Sequence, residues 1–121
     1  MNKYETCICG CRASEIHHIM FRSQVPSLIK CKLNLIPLCQ GCHYSIHHGK
    51  GATLNNKLKL EFQNTLETLF IKEYLTEEEI SQVLGISDNA TYRLLKTLKR
   101  YKEGYSRDEV ILRCMNGKRR Q

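Results

Sequence analysis

The chain has 121 residues, with 19 Lys and Arg against 12 Asp and Glu, and seven cysteines. At this length it can form one compact domain, or one small domain with an appendage. It contains no apolar run near the roughly 18 residues that a membrane span needs, and its first 15 residues lack the apolar core of a signal peptide. The net charge of +7 favours an anionic partner.

The charge is distributed in three blocks. Residues 1–50 carry a balance of +4, residues 51–92 a balance of −4 and residues 93–121 a balance of +7. All five histidines also precede residue 50. We therefore predict a boundary within 49–51, where the histidines stop and the sign of the charge changes.

Five of the seven cysteines form two groups, which are Cys7, Cys9 and Cys11 upstream and Cys39 and Cys42 downstream. An odd count without a secretion signal argues against a disulfide framework. A C-x-x-C turn presents two thiolates to one tetrahedral metal, and a second pair completes a closed site. The sequence therefore predicts structural zinc on Cys7, Cys9, Cys39 and Cys42, with Cys11 as an alternative ligand. A redox pair or small packing residues are the competing interpretations.

A strand, a loop and a second strand are predicted between the two cysteine groups. The apolar–polar alternation at 13–16 is typical of a strand that ends at His17 and His18. The apolar run at 32–38, with Asn34 near its start, predicts the second strand. So small a unit needs a metal to stabilise it, which agrees with the predicted zinc.

A helix should follow the downstream cysteine pair. His43 and His47 are four residues apart, so on a helix they share one face and can hold one ion. His17 and His18 point to opposite sides of a strand, but both reach one cleft if the strand ends there.

These residues together resemble the HNH endonuclease family. The resemblance is carried by E-I-H-H-I at 15–19, Asn34, L-C-Q-G-C-H at 38–43, and His47, within residues 7–50. It implies a ββα-metal finger with structural zinc. The chain departs from the family pattern at Thr6, where that pattern has a cysteine.

The resemblance also implies residue roles. His17, His43 and His47 would bind a catalytic divalent ion, Mg²⁺ or another ion such as Mn²⁺. His18 would be the general base that activates water, and Asn34 would fix the loop that orients it. These roles suit phosphodiester hydrolysis, because a neutral imidazole can deprotonate water near pH 7 and a cation stabilises the charge on the scissile phosphate. The implied catalytic residues are thus His18, Asn34 and His43.

The second half, 51–121, is predicted to be mainly helical. Residues 54–74 are predicted to form a packing helix with one buried apolar stripe, Leu58, Phe62, Leu66, Leu69 and Phe70. A capping box at Thr76 and Glu79 opens a segment at about 76–101 that resembles a helix-turn-helix DNA-binding unit. Its second helix would be the recognition helix, and the chain ends in a basic tail at 118–120. The candidates for DNA contact are Arg22 and Lys50 in the finger and Asn89, Tyr92, Arg93 and Lys96 in the second helix.

The sequence thus predicts an α+β fold, a zinc-stabilised ββα-metal finger followed by a mainly α-helical C-terminal region. The predicted activity is metal-dependent hydrolysis of DNA phosphodiester bonds, by nicking or cutting at a preferred site. The predicted compartment is the cytoplasm of a bacterial host of a phage or mobile element, with no membrane association. Both a monomer and a homodimer are compatible with the sequence. The alternatives are a non-catalytic zinc-finger and helix-turn-helix DNA-binding regulator and, more weakly, an RNA-directed or toxin-like nuclease.

Overall fold

Two short strands and a helix form the N-terminal part of the fold. The computed structural model describes residues 5–49 and 52–120. Strand β1 (Glu15–His18) pairs antiparallel with β2 (Leu35–Leu38), so that His17 lies opposite Ile36 and His18 opposite Leu35. Helix α1 (Gln40–His47) begins two residues after β2 and packs against β1. The order β1, β2, α1 is the ββα arrangement that the sequence predicts.

The strands differ in extent from the prediction. Strand β1 begins at Glu15, two residues after the start of the predicted alternation, and ends at the histidine pair as predicted. The first half of the predicted second strand is a 3-10 turn, Lys32–Asn34, and only Leu35–Leu38 pairs with β1. A second 3-10 turn, Pro26–Leu28, lies in the connection between the strands.

Four helices and a second small sheet make up the rest of the described chain. Helix α2 (Ala52–Leu69) crosses from the finger to the C-terminal helices. Strand β3 (Tyr74–Leu75) pairs antiparallel with β4 (Tyr105–Ser106), and this sheet flanks helices α3 (Glu77–Leu84) and α4 (Asp88–Leu95). Helix α5 (Arg107–Cys114) closes the fold. The chain is therefore of the α+β class, as predicted, and no helix in its described ranges has the length and apolarity to cross a bilayer.

The local signals for α3 and α4 are confirmed at their starts and at the turn. Thr76 and Glu79 form the reciprocal capping box, and Gly85 ends α3 with a left-handed φ of 64°. Ser87 caps α4 by accepting a hydrogen bond from the backbone N–H of Ala90 at 3.1 Å. The predicted length of α4 is wrong, because the helix ends at Leu95 and does not continue to residue 101.

The stripe predicted on α2 also needs a correction. Leu58, Phe62 and Leu66 are buried as predicted, but Leu69 is 42% exposed. Two polar residues of the same helix, Lys59 and Gln63, are buried although the pattern does not predict it.

One hydrophobic core runs through both halves of the chain. It joins apolar side chains of the finger, of α2 and of the C-terminal helices, including Leu28, Leu38, Leu58, Phe62, Leu94 and Ile111. The predicted boundary at 49–51 stays a prediction, because residues 50 and 51 lie outside the described ranges, and so does Lys50 as a DNA contact.

Candidate metal centres and nucleic-acid interface

Four cysteines converge at the start of the finger. The Sγ atoms of Cys7, Cys9, Cys39 and Cys42 all lie within 4.8 Å of one another. Those of Cys9 and Cys39 are 3.7 Å apart, close to the roughly 3.8 Å that a tetrahedral site with Zn–S bonds of about 2.3 Å requires. The cluster could hold a metal such as zinc. Cys11 is exposed and lies outside the cluster.

Local backbone geometry builds this cluster. Cys39 is the N-cap of α1, and its Sγ accepts a hydrogen bond from the backbone N–H of Cys42 at 3.4 Å. Upstream, the backbone N–H of Cys7 donates to Cys11 O at 2.7 Å, which closes a tight loop around Cys9. Gly10 stands in that loop with a φ of 95°, a value that favours glycine. Each pair of thiols is thus positioned by its own local turn.

The thiols of the cluster differ in acidity. Burial alone would raise the pKa of the Cys7 thiol, but hydrogen bonds from the backbone of Cys9 and Cys39 lower it to about 7. The pKa of Cys42 is raised by burial and by the neighbouring thiols Cys39 and Cys9. A thiolate is the form that binds a metal. Of Cys7 and Cys42, Cys7 is therefore the thiol that ionises more readily.

Three histidines form a second cluster between β1 and α1. One ring nitrogen each of His17, His43 and His47 lies within 4.8 Å of the others. His17 comes from β1, while His43 and His47 lie one helical turn apart on α1. His17 is 1% exposed, His43 is half-buried and His47 is exposed. One side of the cluster is therefore open to solvent.

His17 is a buried imidazole without a partner for either ring nitrogen among the described residues. Burial, followed by the charges of His43 and His47, lowers its pKa to about 4. His17 is therefore neutral at pH 7 and keeps a lone pair for a ligand. Buried polar atoms in proteins nearly always have a hydrogen-bond or metal partner, so this donor set fits a bound cation.

Glu15 supports the cluster from the same face of β1. Its carboxylate hydrogen-bonds Nδ1 of His43. Because a carboxylate accepts, Nδ1 carries the proton in this bond, and in the neutral ring Nε2 is the nitrogen with a lone pair. A carboxylate that orients a ligating histidine in this way is a common feature of metal sites. Glu15 is not among the residues predicted from the sequence, although its position two residues before His17 places both on one side of the strand.

His18 lies beside the cluster. It lines one cavity of about 480 Å³ together with His17, Arg22, His43 and His47. Its Nε2 lies 3.1 Å from Ile29 O. A carbonyl oxygen only accepts, so Nε2 donates and Nδ1 is the nitrogen left with a lone pair.

Asn34 holds the loop that carries this contact. It is fully buried, and its side chain bonds the loop backbone three times. Its Oδ1 accepts from Met20 N at 2.7 Å, and its Nδ2 donates to Met20 O at 3.1 Å and to Leu28 O at 3.2 Å. The loop between β1 and β2 is therefore fixed on both sides of Arg22 and next to Ile29.

Phe21 and Lys59 also border the histidines, and neither is predicted from the sequence. The Phe21 ring lies 4.9 Å from that of His47 and 5.7 Å from that of His17, measured between centroids. Lys59 of α2 places Nζ 4.2 Å from the Phe21 centroid and donates to Gln24 Oε1 at 3.2 Å. No local sequence signal connects Lys59 with residues 35 or more positions earlier.

Helix α4 presents one exposed polar face. All four candidate contacts are exposed, Asn89, Tyr92 and Arg93 on α4 and Lys96 at its C-cap. Their spacing places them on one side of the helix. The opposite side is buried, and there the hydroxyl of Thr91 donates to Ser87 O at 2.9 Å. This bond satisfies the hydroxyl that α4 buries in the core.

The finger and α4 meet beside the histidine cavity. Helix α4 packs on the 3-10 turn Pro26–Leu28. A cavity of about 360 Å³ at this contact is lined by Ile29, whose carbonyl contacts His18, by Lys30, and by Ser87 and Arg93 at the two ends of α4. Arg22 thus lines the histidine cavity, while Lys30 and Arg93 line the cavity at α4.

The basic tail is folded onto α2. Gln63 bonds the backbone of Arg120 twice, through Oε1 to its N–H at 2.7 Å and through Nε2 to its carbonyl oxygen at 2.9 Å. Arg119 pairs with Glu67 and Asp108. At least one of the tail's cations is therefore already neutralised by the protein itself.

Comparison with known proteins gives one partial match. Over 54 residues the chain is 41% identical to the protein named mitochondrial DNA mismatch repair protein mutS homolog from Sarcophyton glaucum. The match covers 41% of this chain and 6% of that protein. No family model and no solved structure matches the chain.

Proposed function

We propose that the protein is a metal-dependent DNA endonuclease in which the finger hydrolyses a phosphodiester bond and α4 contributes to the choice of site. The observation that carries the proposal is His17, a buried neutral imidazole without a partner within the described residues, grouped with His43 and His47. This set fits a cation, and the exposed side at His47 leaves room for a phosphate. The partial match to a protein named for DNA mismatch repair also supports DNA as the partner.

Each residue at the site has a distinct task in this mechanism. His18 Nδ1 takes the proton from the attacking water, because its Nε2 proton is committed to Ile29 O. Asn34 keeps the loop, and with it His18, in position. Arg22 contacts the phosphate from the rim of the same cavity. A divalent ion, when bound, would stabilise the charge on the phosphate and on the leaving 3′ oxygen.

Site preference would come from α4. Its exposed Asn89 and Arg93 have side chains that can bond base edges in the major groove, while Lys96 suits a phosphate. Lys30 and Arg93 line a cavity at this helix, and Ile29 of the same cavity contacts His18. A duplex bound to α4 could therefore pass the histidine cavity.

The test uses supercoiled plasmid with zinc-loaded protein and Mg²⁺ or Mn²⁺. We expect wild type to nick or cut, and His18→Ala to cut about 100-fold or more slowly, the typical contribution of a general base. His48→Ala is the matched control, since His48 is exposed, stacks on Tyr44 and lies outside the histidine cluster. We expect this control to cut at the wild-type rate.

Two results would contradict the proposal. Wild type that binds DNA but leaves every plasmid intact with each metal would favour a non-catalytic DNA-binding regulator. Undiminished cutting by His18→Ala would remove the assigned base. A gel-shift measurement on both variants separates an effect on catalysis from an effect on binding.

A further inference from the structure

A basic cleft lies between the first turns of α2 and the C-terminal tail. Its volume is about 500 Å³. None of its described lining residues is acidic, and four are cations; its polar lining is Thr53, Asn56, Lys57, Lys118, Arg119 and Arg120. The cleft lies on the outer part of α2 and shares none of its lining with the histidine cavity.

The tail is held in place to form this cleft. The two bonds between Gln63 and the Arg120 backbone fix the tail, and Arg120 Nη1 donates to Asn56 Oδ1 at 2.9 Å. Two distant parts of the chain therefore present a preorganised group of cations. Preorganisation reduces the entropy cost of binding an anion.

Positive charge in the cleft is incompletely compensated. Within the described residues Lys57 and Lys118 form no ion pair, and Nε of Arg120 is buried without an acceptor. Of the cations described in the cleft, only Arg119 has carboxylate partners, Glu67 and Asp108. The Arg120 charge also adds to burial in lowering the pKa of Lys59. A bound anion would supply the missing acceptor and counter-charge.

The shape of the surface favours a polymer over a single small ion. A second cavity of about 680 Å³ shares Thr53 and Lys57 with the cleft and continues past Gly41 and Ser45 of α1. The two together form a groove along the start of α2, from the cysteine cluster to the tail. Lys57 is the one cation among the described lining residues of this second cavity, so a phosphate would bind in the cleft and the adjoining nucleotide could lie along the groove.

We propose that this cleft binds a phosphodiester group of the DNA backbone, away from the bond that is cut. The proposal rests on DNA as the partner in the proposed function and adds a second contact to it. Arginine and lysine are the side chains that proteins use to bind phosphate. The contact would fix the duplex against the finger without selecting a sequence.

The test measures binding of a fluorescein-labelled duplex by anisotropy, without divalent ions, across a range of salt concentrations. The cleft variant is Lys57→Gln/Lys118→Gln, because both side chains are exposed and their replacement should leave the fold intact. The control is Lys72→Gln/Lys102→Gln, which removes the same charge from exposed positions outside the cleft. Melting temperatures check that both variants fold.

We expect the cleft variant to bind on the order of tenfold more weakly near 0.1 M salt, because it neutralises fewer phosphates. The slope of log K against log salt should fall by about 0.9 for each phosphate that the variant no longer binds. The control should stay near wild type. Equal slopes for the cleft variant and the control would overturn the proposal.

The outcomes also separate this inference from the catalytic proposal. If wild type never cuts DNA but its DNA binding depends on the cleft, the cleft proposal holds and only the catalytic proposal is contradicted. Failure of wild type to bind DNA at any salt would overturn both. Inorganic phosphate that stabilises wild type but not the cleft variant, with unchanged DNA slopes, would assign the cleft to a free anion and overturn the DNA contact.

Discussion

The four-cysteine cluster illustrates how single residues divide their tasks in this protein. Cys39 both caps α1 and faces the other three thiols. Cys7 is buried and, with its pKa lowered to about 7 by backbone hydrogen bonds that outweigh the effect of burial, supplies a thiolate near neutral pH. Cys9 lies close to Cys39, whereas Cys11 serves the loop through its backbone oxygen.

This geometry predicts opposite outcomes for two neighbouring cysteines. Cys9→Ser should lower the zinc content from about one ion per chain to less than half, because a closed site needs all four thiolates. Cys11→Ser should leave it unchanged. Zinc is measured by elemental analysis after gel filtration in a weak chelator. Zinc depletion in Cys11→Ser together with retention in Cys9→Ser would exchange the two assignments.

Residues whose partners are near in sequence could be predicted, and those with distant partners could not. The His43–His47 pair and the Cys39–Cys42 pair follow from helix and turn spacing, so the pattern of residues contains them. The contacts of His43 with Glu15 and of Phe21 with Lys59 join segments that are 28 and 38 residues apart. They exist only because the fold brings β1, α1 and α2 together.

At the scale of elements, α2 is a helix whose role differs from its sequence pattern. Its buried side includes Lys59, which is 2% exposed and contacts Phe21 and Gln24 of the loop after β1. Burial, together with the Arg120 charge, lowers its pKa to about 8. A charged lysine at this position therefore weakens the packing of α2 on the finger at neutral pH.

The stability of wild type should consequently rise with pH relative to a variant that cannot titrate at this position. The folded-state pKa is below that of the unfolded chain, so the unfolded chain binds more protons between pH 8 and 10.5 and the penalty is relieved there. Between pH 7 and 9.5, the unfolding free energy of wild type should increase by about 1–2 kcal/mol relative to that of Lys59→Met, with water near the ammonium screening part of the full effect.

Urea unfolding of zinc-loaded wild type and Lys59→Met at both pH values measures this difference. His17, His47 and Arg120 are other titratable or charged groups near Lys59, and both proteins retain them. Lys57→Met, which changes an exposed lysine two residues earlier on the same helix, is the control and should show no such dependence. A pH-independent difference for Lys59→Met would show that the buried lysine does not titrate in this range.

The limits of α4 and the second sheet show what local signals leave out at this scale. Thr76, Gly85 and Ser87 act on adjacent backbone groups, so the starts and the turn were predictable. The end of α4 at Leu95 was not predictable, because it depends on later pairing. Tyr101 forms a β-bridge with Gly104, and β4 then pairs with β3. That pairing joins residues that are distant in sequence, Tyr74 with Ser106.

For the whole molecule, the continuous core decides how the two halves unfold. The finger contributes Leu28 and Leu38 to the same cluster as Leu94 of α4 and Ile111 of α5. Helix α4 packs directly on the finger's 3-10 turn. The boundary at 49–51 is predicted from charge and histidine content alone, and neither carries information about a shared core. Because both halves bury side chains in one core, the stability of the finger is coupled to that of the helices.

We therefore expect the thiol cluster and the helices to melt together. Leu94 is fully buried, so Leu94→Ala should cost about 2–5 kcal/mol and lower the melting temperature by roughly 10 °C. In cobalt-substituted protein, the melting temperature followed by thiolate absorption at the cysteine cluster should fall by the same amount as that followed by helical circular dichroism. This holds although Leu94 lies far from the cysteines in sequence. Tyr92→Ala, on the exposed side of the same helix, should change the unfolding free energy obtained from either signal by less than about 0.5 kcal/mol. Thiolate absorption that persists while the helices of Leu94→Ala melt would mean that the finger is stable without the shared core, and that the boundary at 49–51 separates two independent folding units.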